Sequence, residues 1–250
     1  MSVFGIVSEF NPFHLGHEYL IRSARDMGAE SVVCVMSGNA TQRGELAITD
    51  KYTRAEAALC GGADLVLELP FPWSSASAES FAFAGISVLS SFCDTVIFGS
   101  ECGDIELLRR VAEFTSSPEF KERYTALLTN GEQSAAAYAA LVGEVSSTAL
   151  SSNDLLGVEY IKAAKTLGVD LNFVTVKREG SAYRSAEMSS GDFDSAMAIR
   201  AAISNGDNLE MLKSRLPLAS FDILASAKEK CEDNKNQCNY FFKHKIPPEY

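Results

Sequence analysis

The sequence predicts an α/β fold in which a parallel β-sheet is covered by helices on both faces. Three observations carry this. Short β-rich runs alternate with helical patterns along most of the 250 residues. The runs are near-continuously apolar, as in Ser31-Val-Val-Cys-Val-Met36, which marks strands buried on both faces. Capping and stop signals separate the helical patterns: Asp50, Ser152, Gly28, Gly61-Gly62 and Gly168.

Taken in order, residues 3–7 read as the first strand. A helix follows over 14–27, with Leu15, Tyr19, Leu20 and Ala24 at helical spacing and Gly28 as its stop. Residues 31–36 form the second strand, and a polar loop covers 37–48. Asp50 caps a helix over 50–60. The third strand, 64–69, is halted by Pro70 and Pro72. A helix over 77–91 leads to a fourth strand at 95–98, and two or three charged helices lie between 104 and 145. Ser152 is the expected N-cap of a helix over 152–167. A fifth strand spans 171–176, and a last helix spans 195–204 before Asn205-Gly206. This gives one catalytic domain over 1–206. Residues 207–250 form a short helical and polar C-terminal extension, strongly polar from Glu229 onward.

Composition narrows the function classes. Hydrophobic residues make up 46% and charged residues 22%, the balance of a soluble globular chain. No apolar run approaches a membrane span, and the N-terminus lacks the basic and apolar regions of a signal peptide, so a cytoplasmic location without membrane attachment is expected. The net charge of -11 argues against a broad nucleic-acid surface, though not against a local basic patch. Six scattered cysteines, at 34, 60, 93, 102, 231 and 238, contain no C-x-x-C pair and read as free core thiols.

The chemistry concentrates in the first strand–turn–helix, Gly5-Ile-Val-Ser-Glu-Phe-Asn-Pro-Phe-His-Leu-Gly-His17. A helix N-terminus presents unpaired N–H groups and a partial positive charge, which suits phosphate. Gly16 permits close backbone approach. His14 and His17, two of three histidines in the chain, are three residues apart and share one helix face. Ser37-Gly-Asn39 and Arg43, on the loop after the second strand, are placed to grip substrate. Phe71-Pro-Trp73 reads as packing, and Asp64 and Glu68 are assigned no role.

His-x-Gly-His at this position resembles the nucleotidylyltransferase superfamily. The surrounding residues are more specific. Glu9-Phe-Asn-Pro-Phe-His-Leu-Gly-His17, Met36-Ser-Gly-Asn39, Gln42-Arg-Gly-Glu45 and Lys51-Tyr-Thr-Arg54 are similar to the bacterial tRNA(Met) cytidine acetate ligase family. So are Gly62-Ala-Asp-Leu-Val-Leu-Glu-Leu-Pro70, Phe98-Gly-Ser-Glu101 and Ser152-Asn-Asp-Leu-Leu-Gly-Val-Glu-Tyr160. The matches run in order over about 200 residues. The resemblance implies a Rossmann-like nucleotidylyltransferase fold with a five-stranded parallel sheet and extra helices.

It also implies a two-step reaction. Acetate attacks the α-phosphate of ATP, pyrophosphate leaves, and the acetyl group of the adenylate passes to N4 of the wobble cytidine of elongator tRNA(Met). Such a displacement needs positioning and charge neutralisation more than a covalent group. By position, His14 and His17 would be the catalytic pair that holds the phosphates. Val7, Ser8, Glu9, Phe10, Asn11, Pro12, Phe13, Leu15, Gly16, Glu18, Tyr19 and Leu20 would complete the ATP loop around them. Gly99 would lie near adenine or ribose, and Asn153 and Arg178 would reach ATP from the second half. Mg2+ would be held through the phosphates, with no side chain as a metal ligand.

Ser195-Ala-Met-Ala-Ile-Arg200 aligns with the family's second phosphate motif, S-x-T-x-I-R. Ser195 and Arg200 are retained, and Met197 stands where a threonine hydroxyl would donate. Family members continue past residue 250, so tRNA engagement is expected to be weak. Its candidate cations are Arg43, Lys51 and Arg54, then Lys177, Arg178 and Arg184, then Lys243, His244 and Lys245. Adenylyl transfer to another small acid or phosphate, and a degenerate ATP-binding interaction protein, stand as alternatives.

Overall fold

The computed structural model describes residues 2–178, 196–204 and 209–233. Five strands form one sheet: β1 Val3–Ser8, β2 Ser31–Ser37, β3 Leu65–Leu69, β4 Thr95–Ser100 and β5 Asn172–Lys177. Their order is β3-β2-β1-β4-β5 and every pairing is parallel. The chain winds outward from β1 through β2 to β3. It then returns to β1's other side for β4 and β5. The order reverses between β1 and β4, and a crevice opens outside the carboxyl ends at such a point.

Helices cover both faces. On one lie α1 (Leu15–Asp26) and α2 (Lys51–Cys60), packed with Phe4, Ile6, Val32, Cys34 and Ile97. On the other lie α3 (Ala78–Leu89), α4 (Ile105–Thr115) and α7 (Ser152–Leu167), packed with Val7, Val33, Val96 and Phe98. Helices α5 (Pro118–Thr129) and α6 (Ser134–Ser146) buttress α4, so the charged stretch forms three helices. A helix α8 (Ala196–Ser204) and a helix α9 (Leu218–Asp233) share a small core of Ile199, Ala202, Leu212, Leu216, Phe221 and Leu224. That core lies on both sides of residue 206, and α9 also packs on α2.

Several expectations shift. The N-cap of α7 is Ser151, not Ser152. Its hydroxyl accepts from Asp154 N–H at 3.2 Å while Asp154 Oδ2 accepts from Ser151 N–H at 2.9 Å, a reciprocal capping box. His14 is the N-cap of α1 and not its first turn. β4 runs on to Ser100, and α9 follows the helix expected to be last. Phe71 and Trp73 are 75% and 44% exposed, so they do not pack in the core. Asp64 is structural: its carboxylate accepts from Val32 N–H at 2.6 Å and pairs with Arg25. Cys34 and Cys93 are buried thiols, but Cys60 is exposed. Among the described residues, no helix is long and apolar enough to cross a membrane.

Candidate active site

At the reversal point, the loop leaving β1 is fastened from several sides. Glu9 Oε1 accepts from Gln42 N–H, and Asn11 Oδ1 accepts from Ile48 N–H, both at 2.8 Å. Arg54, 1% exposed, reaches up from α2 and donates to the carbonyls of Glu9 (2.6 Å), Ser37 (3.1 Å), Thr49 (3.2 Å) and Gly38. One guanidinium thus binds the carboxyl ends of β1 and β2 to each other. Phe10 holds a φ of +45°, a conformation unfavourable for a bulky residue. It is kept there by burial and by edge contacts with Phe13 and His17, at ring separations of 5.1 and 5.0 Å.

This frame sets the histidines. Their rings stack at 3.8 Å and 26°. His14 Nδ1 accepts from Gly16 N–H at 3.0 Å, and His17 Nδ1 accepts from His14 N–H at 3.3 Å. A neutral imidazole that accepts through Nδ1 carries its proton on Nε2. Both rings are therefore left with an Nε2–H donor. A Cβ on Gly16 would stand 2.9 Å from His14 Cε1, so only glycine fits beneath the cap. His14 is buried and His17 half-buried. Burial, aided by Arg178 and Arg200, holds the His14 pKa down to about 3. Burial, the neighbouring His14 and Arg178 hold His17 well below its usual value. Both act as neutral donors, and positive charge comes from the arginines.

The second half contributes a network around Glu101. Its Oε1 accepts from Asn153 Nδ2 at 2.8 Å and pairs with Arg178 Nε at 3.2 Å. Its Oε2 accepts from Ser151 Oγ. Gly99 lines the cleft from β4 and lies beneath Arg178. A Cβ there would stand 3.2 Å from Arg178 Cγ, so the missing side chain lets the Arg178 stem lie across β4. Asp154, 2% exposed, accepts from Ser100 Oγ at 2.6 Å and Cys102 N–H at 3.2 Å, fixing α7 to the end of β4. From α8, Arg200 Nη1 donates to the Asn11 carbonyl at 2.7 Å.

These groups surround one cleft of about 360 Å³. From the first loop, Val7, Ser8, Glu9, Phe10, Asn11, His14, His17 and Leu20 line it, joined by Gly99, Asn153, Arg178 and Arg200. Pro12, Phe13, Leu15, Gly16, Glu18 and Tyr19 are not in its lining; Phe13 and Gly16 support it from behind. Ser195 lies outside the described residues, as do Arg184, Lys243, His244 and Lys245. Met197 and Arg43 line the cleft, whereas Ser37 and Asn39 do not. Asn39 Oδ1 instead caps Lys51 N–H at 2.9 Å. The cation cluster of Arg43, Lys51 and Arg54 is not assembled: Arg54 is buried on carbonyls, and Lys51 pairs with Glu68 at 2.6 Å. Sequence reasoning assigned no role to Glu101 or Tyr160, although both fall inside segments that carried the resemblance. An acid directly after a strand's carboxyl end was the available signal for Glu101.

Comparison with known proteins follows this geometry. The family model described as HIGH Nucleotidyl Transferase matches residues 1–248. A tRNA(Met) cytidine acetate ligase of Caldicellulosiruptor saccharolyticus is 41% identical over 230 residues, 90% of this chain and 57% of the relative. One from Clostridium novyi is 38% identical, covering 90% and 59%. The crystal structure of Thermotoga maritima TmcAL without ligand superposes with a TM-score of 0.85 at 38% identity. The same protein bound with alpha-thio ATP gives 0.82 at 37%. Each comparison covers 92% of this chain and 57% of that one. The chain thus spans somewhat over half the length of the relatives it matches.

Proposed function

Because the chain belongs to the HIGH nucleotidyltransferase family, we propose that it binds ATP in this cleft and joins acetate to the α-phosphate, releasing pyrophosphate. The acetyl group then passes to N4 of the wobble cytidine of elongator tRNA(Met); the relatives' name specifies a cytidine of tRNA(Met). The observation that carries the reading is the stacked pair of neutral imidazoles at the start of α1, both with Nε2–H available, beside Arg178 and Arg200. Fixed donors and nearby cations in a recessed site suit the charge that spreads over phosphoryl oxygens during displacement.

His14 and His17 donate to the phosphates. Arg178 and Arg200 neutralise them, and Asn153 and Arg178 are presented to the nucleotide by Glu101. No group of three potential metal ligands occurs among the described residues. Mg2+ enters bound to the phosphates, whose negative charge holds it. The catalytic unit is residues 1–206, with 207–250 as an extension, and the reaction takes place in the cytoplasm. Adenylation of a different small acid is the second reading, favoured by how much of the cleft is hydrocarbon around the donors.

Pyrophosphate exchange with a panel of small carboxylic acids, with and without tRNA, tests both. Exchange that requires acetate supports the first reading, and exchange with another acid alone supports the second. Replacing both histidines by alanine should abolish ATP-dependent thermal stabilisation while the fold persists. Undiminished stabilisation would remove the histidines from the site.

A further inference from the structure

The two sides of the cleft differ in chemistry. Towards α1, α8 and β5 stand the imidazoles, Arg178 and Arg200, while Ser152 and Asn153 enter from the first turn of α7. Towards α3 and α7 the lining is Val7, Phe81, Phe98, Leu156 and Tyr160, continuous with the core on that face of the sheet. Tyr160 is 2% exposed. Its ring meets Phe98 edge-on at 5.7 Å, and none of the described residues hydrogen-bonds its hydroxyl. The hydroxyl is not among the buried polar atoms left without a partner, so it opens to the cleft. A phenol O–H that faces a ligand cleft is a donor free to meet a ligand there.

We propose that this side of the cleft is the subsite of a short-chain carboxylate, whose alkyl group packs against Phe81, Phe98 and Leu156 while the Tyr160 hydroxyl donates to one carboxylate oxygen. The proposal rests on the ATP-dependent reading above and places its second substrate. A single hydroxyl among hydrocarbon walls matches a molecule with one polar end and a small apolar body. An adenine ring would need partners for its amino group and ring nitrogens; Ser152 and Asn153, at the start of α7, stand nearer the arginines, and Tyr160 is the polar lining residue beyond Leu156 along that helix.

Burial, reinforced by the Glu9 carboxylate, pushes the Tyr160 pKa upward, so the phenol keeps its proton and remains a donor. Glu9 is the acid in the lining, against Arg43, Arg178 and Arg200, so the cleft as a whole tolerates an incoming anion. The walls are also stiff. A Cβ on Gly157 would lie 2.3 Å from the Phe98 ring, so α7 sits directly on that ring. Stiff walls make the subsite selective for chain length. In the reaction, the other carboxylate oxygen forms the bond to the α-phosphorus. The bond from phosphorus to the bridging oxygen breaks, and pyrophosphate leaves with that electron pair. No proton needs to move.

Steady-state pyrophosphate exchange with acetate, propionate and butyrate on wild type, Tyr160→Phe and Leu156→Ala tests the assignment. Tyr160→Phe should raise the acetate KM by about 10- to 150-fold, the worth of one hydrogen bond to a charged group, with the ATP KM unchanged. Leu156→Ala should raise kcat/KM for propionate relative to acetate by roughly tenfold. An ATP KM that rises while the acetate KM holds would make this the base subsite and overturn the proposal, as would no change in either.

If wild type exchanges with no acid, the catalytic reading fails independently. The subsite is then read by saturation transfer to the acetate methyl with a non-hydrolysable ATP analogue bound. Transfer seen in wild type and lost in Tyr160→Phe supports the subsite, and its absence in wild type overturns it.

Discussion

His14 and His17 show how burial can choose between a charged and a neutral donor. An exposed histidine titrates near 6.5, whereas His14 is held to about 3. Folding therefore favours the neutral ring. The unfolded chain binds the extra proton, so stability is full above pH 6.5 and falls as the pH drops below it. At pH 5.5 the loss from His14 should be on the order of 1 kcal/mol relative to pH 7.5, and His17 adds to it in the same direction. Urea midpoints at the two pH values check this, and changing both residues to glutamine should flatten the dependence. Met197 is the other residue whose chemistry invites a test. It lines the cleft, where the resemblance implies a threonine. Met197→Thr should restore a phosphate donor and tighten ATP binding by about tenfold in calorimetric titration.

At the scale of elements, the site is two strand ends and the helices they feed. Glu101, just past β4, holds Ser151, Asn153 and Arg178 together. Glu101→Gln keeps the shape but loses the charge that pairs with Arg178. ATP affinity should fall roughly tenfold with little change in melting temperature, because the Glu101–Arg178 pair is partly exposed and such pairs add little stability. Isothermal titration alongside a thermal melt separates the two effects.

The elements were largely legible beforehand, because unbroken apolar runs and glycine stops are local signals. Choosing Ser151 over Ser152 as the cap of α7 depends on Asp154 turning back to its N–H, which two adjacent serines do not reveal. Arg54 looked like part of a basic patch, since only the assembled loops provide the carbonyls that bury it. Phe71 and Trp73 follow an edge strand, where aromatic composition alone does not say which way a turn faces. The phosphate loop was readable because its residues are contiguous. Glu101 and Tyr160 act through partners brought in from elsewhere by the fold.

Across the whole molecule, a chain of net charge -11 concentrates arginines in its cleft: Arg43, Arg178 and Arg200 against Glu9. That contrast favours a compact anion over a long one. With Arg54 buried and Lys51 paired to Glu68, few surface cations near the site remain among the described residues to meet a nucleic-acid backbone. tRNA should therefore bind this chain weakly, and the binding should vanish between 50 and 200 mM salt on the order expected for a few phosphate contacts. ATP binding should persist over the same range. Filter binding of labelled tRNA(Met), run beside ATP titrations, checks both halves. Robust tRNA retention at the higher salt would show that cations outside the cleft carry the contact.

The reversal of strand order between β1 and β4 also has a temporal consequence. Phe4 pairs with Thr95, and Val3 N–H donates to Asp94 Oδ2 at 3.0 Å, so the sheet's central seam closes a long loop of chain. Contacts so distant in sequence are slow to form, because the entropy of closing the loop is lost before the contacts repay it. The first strand, helix and second strand can gather early, yet the cleft has only one bank until β4 arrives. A nucleotide that bridges the two banks would leave the early stages of folding untouched and slow the parting of the seam. It would act as a clasp on the finished molecule, lengthening the native state's lifetime more than it hastens its birth.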